Sequence, residues 1–171
     1  MAAIRVLPRS EGPTFELAIN SSEEAALLSI PTRLEQLLLN PESGKRMVDR
    51  LFPRAFPKSP LEEAAHRRLI GDSLLSERLE NLREFGRILE RRVQQSRRLR
   101  KVQVLRLTSS EVKLFVHVVN DLRLLLGTYL DITENDWHTR LPDSPEDTTL
   151  FLHLARLTDL QSDLLQALCS A

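Results

Sequence analysis

The chain has 171 residues, 42% of them hydrophobic, and no net charge, which suffices for one well-buried core and not for two, so residues 1–171 read as a single domain. Leucine (34 residues) and arginine (20 of the 24 basic residues) dominate while glycine numbers five, none clustered, a balance that favours helices and excludes a glycine-rich phosphate cradle. No stretch approaches 18 apolar residues without charge, and the opening MAAIRVLPRSEGPTFE lacks the basic and apolar regions of a secretory signal. A cytoplasmic protein with no membrane partner is therefore expected.

In chain order, Ile4–Leu7 and Thr14–Ile19 flank the polar stretch PRSEGP and predict a β-hairpin, with Phe15, Leu17 and Ile19 on one face. Ser21 and Glu24 have capping-box spacing at the head of a leucine-rich helix, which Pro31 should kink or restart near Ile30. NPESGK after Leu39 reads as a loop, followed by a short helical stretch and then LFPRAFPKSP, whose prolines prevent regular structure. Ser59 and Pro60 look like an N-cap and first-turn proline, with Glu62 and Glu63 suited to the helix start.

From Leu61 a helical pattern continues to about Arg98, with Leu75, Leu79, Leu82, Gly86, Leu89 and Val93 at heptad spacing. At some 35 residues this helix would be about 50 Å long. It would span the domain or project to pair with a second copy as a homodimer. Lys101–Leu107 alternates as a strand that completes a three-stranded sheet, and Thr108 with Glu111 opens a helix expected to stop at Gly127. An acidic connector leads to a last helix, Thr149–Leu168, apolar at Leu150, Leu154, Leu157, Leu160, Leu164 and Leu165.

Two of these segments are alike. Leu17–Leu38 and Leu105–Leu126, 88 positions apart, share seven of 22 residues, including Ser-Ser-Glu at the helix start. Each reads as strand, polar break and helix. The expected architecture is α+β and mostly α: two strand-helix units related by an internal duplication, and a small antiparallel sheet packed on a helical bundle with one long basic helix.

Charge is unevenly placed. Residues 1–44, 45–101 and 102–171 carry −3, +8 and −5. The densest basic run, Arg91, Arg92, Arg97, Arg98, Arg100 and Lys101, has the charge to neutralise phosphates, which makes nucleic acid a candidate partner. No aromatic residues interleave it, so base stacking is not supported. The competing expectation is that these arginines follow a helix C-terminus and pair with the acidic last third.

A second cluster, His117, Asn120, Asp121 and Arg123, sits in an otherwise apolar helix, with His117 and Asp121 one turn apart. A carboxylate-oriented imidazole would suit general-base chemistry, but the chain carries no GxSxG elbow or activated cysteine to serve as nucleophile. The favoured role for Asp121 and Arg123 is to fix this helix by partly buried hydrogen bonds. His66, His138 and His153 are scattered singly, and no HExxH, paired CxxC or DxDxDG pattern occurs, so neither a metal nor another cofactor is expected. Cys169, the one cysteine, cannot form an intramolecular disulfide.

EEAALL at Glu23–Leu28, RLFPRAF at Arg50–Phe56 and NDLRLLLGTYLDITEND at Asn120–Asp136, followed by a leucine-rich last helix, resemble the actinobacterial family DUF2017. The resemblance implies a small cytoplasmic protein with no established catalytic residues to carry over. It also implies gene neighbours that include an adaptor for the Clp protease. Taken together, the expectation is a non-enzymatic regulatory or adaptor protein that binds another macromolecule, most readily a protein. The alternative is a transcription regulator that binds DNA through residues 91–101.

Overall fold

The computed structural model describes residues 3–7, 13–97, 100–132 and 144–171, without the side chains of Ala3, 96–97 and 100–101. Strand β1 (Ala3–Leu7) and β2 (Thr14–Ile19) lead into helix α1 (Ser21–Leu39). A 3-10 turn (Pro41–Gly44), α2 (Lys45–Leu51), α3 (Pro60–Glu90), β3 (Val93–Arg97), β4 (Arg100–Thr108), α4 (Ser109–Tyr129) and α5 (Pro145–Cys169) follow. The strands form one antiparallel sheet in the order β1-β2-β4-β3.

That order gives the repeat a geometric form. At the centre of the sheet Leu17 of β2 lies opposite Leu105 of β4, the two residues that head the repeated segments. The 88-residue offset also carries the pair Arg5 and Glu16 onto Val93 and Val104, and Leu7 and Thr14 onto Gln95 and Val102. A local two-fold axis between Leu17 and Leu105 therefore relates the unit β1–β2–α1 to the unit β3–β4–α4. It includes β1 and β3, whose sequences show no likeness.

β3 replaces the expected last turns of the long helix, which ends at Glu90 with the Arg91 and Arg92 amides bonded to Ile88 and Leu89 carbonyls. VQQSR has one apolar residue, so it shows neither a strand nor a helix period, and no glycine or proline marks the break. What makes it a strand is tertiary: it pairs the free edge of β4, whose backbone groups need partners. The heptad seam fails for the same reason. Leu82 and Leu89 are buried and Leu75 and Leu79 half-buried, but Gly86 and Val93 are exposed, and the face that meets the core is Leu82, Phe85, Ile88 and Leu89.

The helix caps differ from expectation in several places: Ser59 precedes α3 as expected but its side chain makes no capping bond. The N-cap of α1 is Asn20, one residue before Ser21: its Oδ1 accepts the Ser22 and Glu23 amides at 3.0 Å each, and the Glu23 carboxylate accepts the Asn20 amide at 2.9 Å. The box at Thr108 and Glu111 forms as expected, the Glu111 carboxylate accepting the Thr108 amide at 2.8 Å. Asn20 is the residue that aligns with Thr108 in the repeat, so the two boxes are equivalent.

Pro31 does not restart α1, which is a single helix from Ser21 to Leu39. A proline inside a helix costs about 3 kcal/mol, whereas each large apolar side chain buried is worth about 1.5–3 kcal/mol, and Leu27, Ile30, Leu34, Leu37 and Leu38 are buried on both sides of it. Gly127 likewise does not end α4. The helix passes through it to Tyr129, and the left-handed residue beyond the cap is Asp131, at φ 51°. The expected loop after Leu39 tightens into the 3-10 turn, and α5 starts at Pro145, four residues early, with Ser144 as its cap. Leu165 faces water, while Leu154, Leu157, Leu160 and Leu164 are buried.

One apolar cluster draws on β2, α1, α2, α3, β4, α4 and α5. Phe15, Leu17 and Ile19 enter it from β2 and Leu105 and Leu107 from β4, as the alternation requires. At its centre α4 buries seven side chains, and the Phe115 ring meets Phe85 at 4.5 Å between centroids.

Candidate functional site

The segment between α2 and α3, FPRAFPKS, makes no regular structure, so its backbone groups depend on side chains from elsewhere. α3 supplies them. The Glu63 carboxylate accepts the Phe56 amide at 2.9 Å and Arg67 Nε at 2.6 Å, while Arg67 donates to the Phe52 carbonyl at 3.0 Å. Arg78 donates to the Leu51 carbonyl at 3.0 Å, lies 5.0 Å over the Phe52 ring and forms an ion pair with Asp121 of α4. The edge-to-face contact of Phe56 with His66, 5.5 Å between centroids, completes the attachment.

Between this tethered segment and α3 lies an open groove of about 440 Å³. Leu38 of α1, Val48 and Leu51 of α2, Phe52, and Ile70, Leu74 and Leu75 of α3 make it apolar. Its charged wall residues, Glu63, Arg67 and Arg78, are spent on the internal bonds just described. The groove thus offers shape and apolar surface, the properties of a binding cleft.

Glu63 is 8% exposed, and the Phe56 amide, then Arg67, hold its carboxyl below the usual range. For a carboxylate with a lowered folded-state pKa, the stabilisation is present above the unfolded-state pKa and disappears as pH falls through the folded value. The Phe56 amide should therefore lose hydrogen-exchange protection on acidification. Glu63→Gln should lower that protection already at neutral pH and remove its pH dependence, which exchange measured across an acid pH series will show.

The Arg78 contacts unite two stretches far apart in sequence, RLFPRAF with its Phe52 and NDLRLLL with its Asp121. A family model described as a domain of unknown function, DUF2017, matches residues 1–168. The chain belongs to the DUF2017 family. No curated protein and no solved structure matches it.

The polar cluster read from the sequence sits in the central helix of this DUF2017 chain and is divided between two neighbours. Asp121 turns to Arg78; burial raises its pKa and Arg78 offsets part of that rise. Arg123 donates from Nε to Thr158 Oγ1 at 3.0 Å and from its terminal nitrogen to Gln161 of α5, whose amide reaches Asn120 Oδ1 at 3.4 Å; burial lowers the Arg123 pKa. Asp121 and Arg123 thus fix α4 to α3 and α5. His117 is exposed one turn away, and neither it nor Asp121 lines the groove.

The basic run separates as well. Arg91 pairs with Glu111 and Arg92 with Glu24, each at 2.7 Å, at the starts of the two related helices. Burial alone would raise the Glu111 carboxyl, but the Thr108 amide and Arg91 leave it lowered. Arg97, Arg100 and Lys101 belong to the β3–β4 hairpin, and Arg98, like His138, lies outside the described residues. Further pairs, Arg46 with Asp131 and Arg83 with Glu35, join the basic middle of the chain to its acidic ends.

Among the described residues no group of three or more His, Cys, Asp or Glu side chains could hold a metal ion, and no helix is long and apolar enough to cross a membrane. Cys169 is free and exposed. Sequence reasoning missed Glu63, His66, Arg67 and Arg78 as a site. The available signal was a proline- and aromatic-rich segment beside a helix that carries Glu63 and Arg67 one turn apart.

Proposed function

We propose that this DUF2017 protein is a non-enzymatic regulatory or adaptor protein of the cytoplasm that works by binding another protein in the groove between α2 and α3. The observation that carries the reading is the contrast inside the groove: its apolar lining is open, while the charged side chains around it are consumed in holding the walls together. Leu74 is 38% exposed and stands outside the central apolar cluster, so Leu74→Glu alters the groove and spares the core. Immobilised wild-type protein should retain a discrete partner from lysate at physiological salt, and L74E should lose it. Equal retention by both would contradict the reading.

A second reading, a DNA-binding regulator, has one observation in its favour. In the register of β3 and β4, Arg97 pairs with Arg100 and Ser96 with Lys101, so the basic run continues onto both strands at the end of β4 that extends past β2. Strand pairs are among the elements that enter DNA grooves. Anisotropy of labelled duplex DNA, titrated at several salt concentrations, separates the two readings. Steeply salt-dependent binding lost on replacing Arg97, Arg98 and Arg100 by Ala would favour the regulator; no binding at low salt removes it.

A further inference from the structure

We infer that residues 53–58 form a strap, latched shut by Glu63, whose release lengthens the groove past His66 toward the start of α3; this rests on the reading of the groove as a protein-binding cleft. The segment between α2 and α3 has two unlike parts. Its base is held at several points: the Phe52 amide donates to the Val48 carbonyl at 2.8 Å, Arg67 and Arg78 donate to the Phe52 and Leu51 carbonyls, and Phe52 packs against the central apolar cluster. Beyond the base every residue from Pro53 to Lys58 is exposed, and Phe56 stands outside the cluster. This tip depends on one carboxylate. Glu63 accepts the Phe56 amide at 2.9 Å and faces the Ala55 amide. Among the described residues the one other hydrogen bond from the tip to its surroundings is at the joint with α3, where the Ser59 amide donates to the Phe56 carbonyl at 3.2 Å.

The latch can release without stranding a charge. When the tip leaves, Glu63 keeps its bond to Arg67 at 2.6 Å, and the Phe56 and Ala55 amides pass to water. The base has no such freedom, because Arg78 serves both the Leu51 carbonyl and the Asp121 carboxylate. At the far joint Ser59 makes no side-chain bond that would stiffen the start of α3. Pro53 and Pro57 restrict the backbone of the free tip, which limits the entropy lost when it closes again. What the tip covers is His66, a lining residue of the groove that Phe56 meets edge-to-face. A swing of the tip uncovers His66 and adds the first turns of α3 to the cleft, and a partner that contacts His66 draws the strap open.

Native-state hydrogen exchange of the whole chain, followed amide by amide through low urea concentrations, tests the latch. The Phe56 amide should exchange through a local opening, with protection about a hundredfold below that of the Phe115 amide in α4 and nearly independent of urea. Protection and urea dependence equal to those of Phe115 would mean that the tip opens only when the domain unfolds. No protection at Phe56 would mean that there is no latch, and either result overturns the inference. Carbethoxylation of His66, read by mass spectrometry against exposed His117, tests what the strap covers. Its rate should rise about tenfold in Glu63→Gln, and also in Phe56→Ala, which removes the cover and leaves the carboxylate in place. An unchanged His66 rate in both variants would overturn the strap as a gate. Neither measurement involves a partner, so failure here leaves the groove as a protein-binding site, and failure of that reading leaves the latch measurable.

Discussion

Arg78→Met should destabilise the protein by about 2–3 kcal/mol at neutral pH, somewhat below the roughly 3–5 kcal/mol for breaking a fully buried pair, because part of the Arg78 side chain remains in water. The loss comes from what stays behind. Asp121 is largely buried, its pKa already raised by that burial, and Arg78 is its ion-pair partner. Removing the guanidinium also strips the Leu51 carbonyl of a donor and the Phe52 ring of its cation.

The sign of the pH dependence follows. A carboxyl whose folded-state pKa is raised binds more protons folded than unfolded, so stability declines as pH rises from the unfolded to the folded value. In R78M the folded value rises further, and the variant should recover part of its deficit in mild acid, where wild type does not gain as much. Adding Asp121→Asn should restore most of the lost stability at neutral pH, since no buried charge then lacks a partner. Urea denaturation of the three proteins at neutral and mildly acidic pH measures each of these differences. Equal deficits for R78M at both pH values would show that Asp121 is not the source.

Phe115→Ala should cost about 3–5 kcal/mol, the range for removing a buried phenylalanine ring. Phe115 is fully buried at the middle of α4 and packs against the tilted ring of Phe85 of α3, so the cavity would open where α3, α4 and the sheet meet. A globular domain is stable by some 5–15 kcal/mol in all, so the variant should unfold at a much lower urea concentration with little change in the slope of the transition. Phe115→Leu, which keeps most of the volume, should lose under about 1.5 kcal/mol. A small effect of the alanine variant would mean that α4 is not central to the core.

The parts of this fold legible in the sequence are those that carry a period or a repeat. Strand alternation at Phe15, Leu17 and Ile19 predicted the buried face, and the Ser-Ser-Glu repeat predicted two helices leaving two strands; the structure adds that the two units face each other across Leu17 and Leu105. β3 was illegible because Gln94, Gln95 and Ser96 have no apolar pattern and take their conformation from β4. Pro31 and Gly127 misled for the opposite reason: each is a strong local signal that tertiary burial overrides.

Of the candidate sites, the Asp121 and Arg123 anchors could be anticipated from polar residues in an apolar helix. Their partners Arg78, Thr158 and Gln161 could not, being 35 to 43 residues away. The groove was hidden more thoroughly. Its lining comes from α1, α2, the 52–53 turn and α3, and such an assembly leaves no spacing in the sequence.

The most direct test of the groove as a protein-binding site is photo-crosslinking in cells from a diazirine amino acid placed at position 74, compared with one at position 152, an exposed leucine on α5. The account predicts a discrete protein adduct from position 74 and none of that mass from position 152. No adduct from position 74, or the same adducts from both positions, would contradict it.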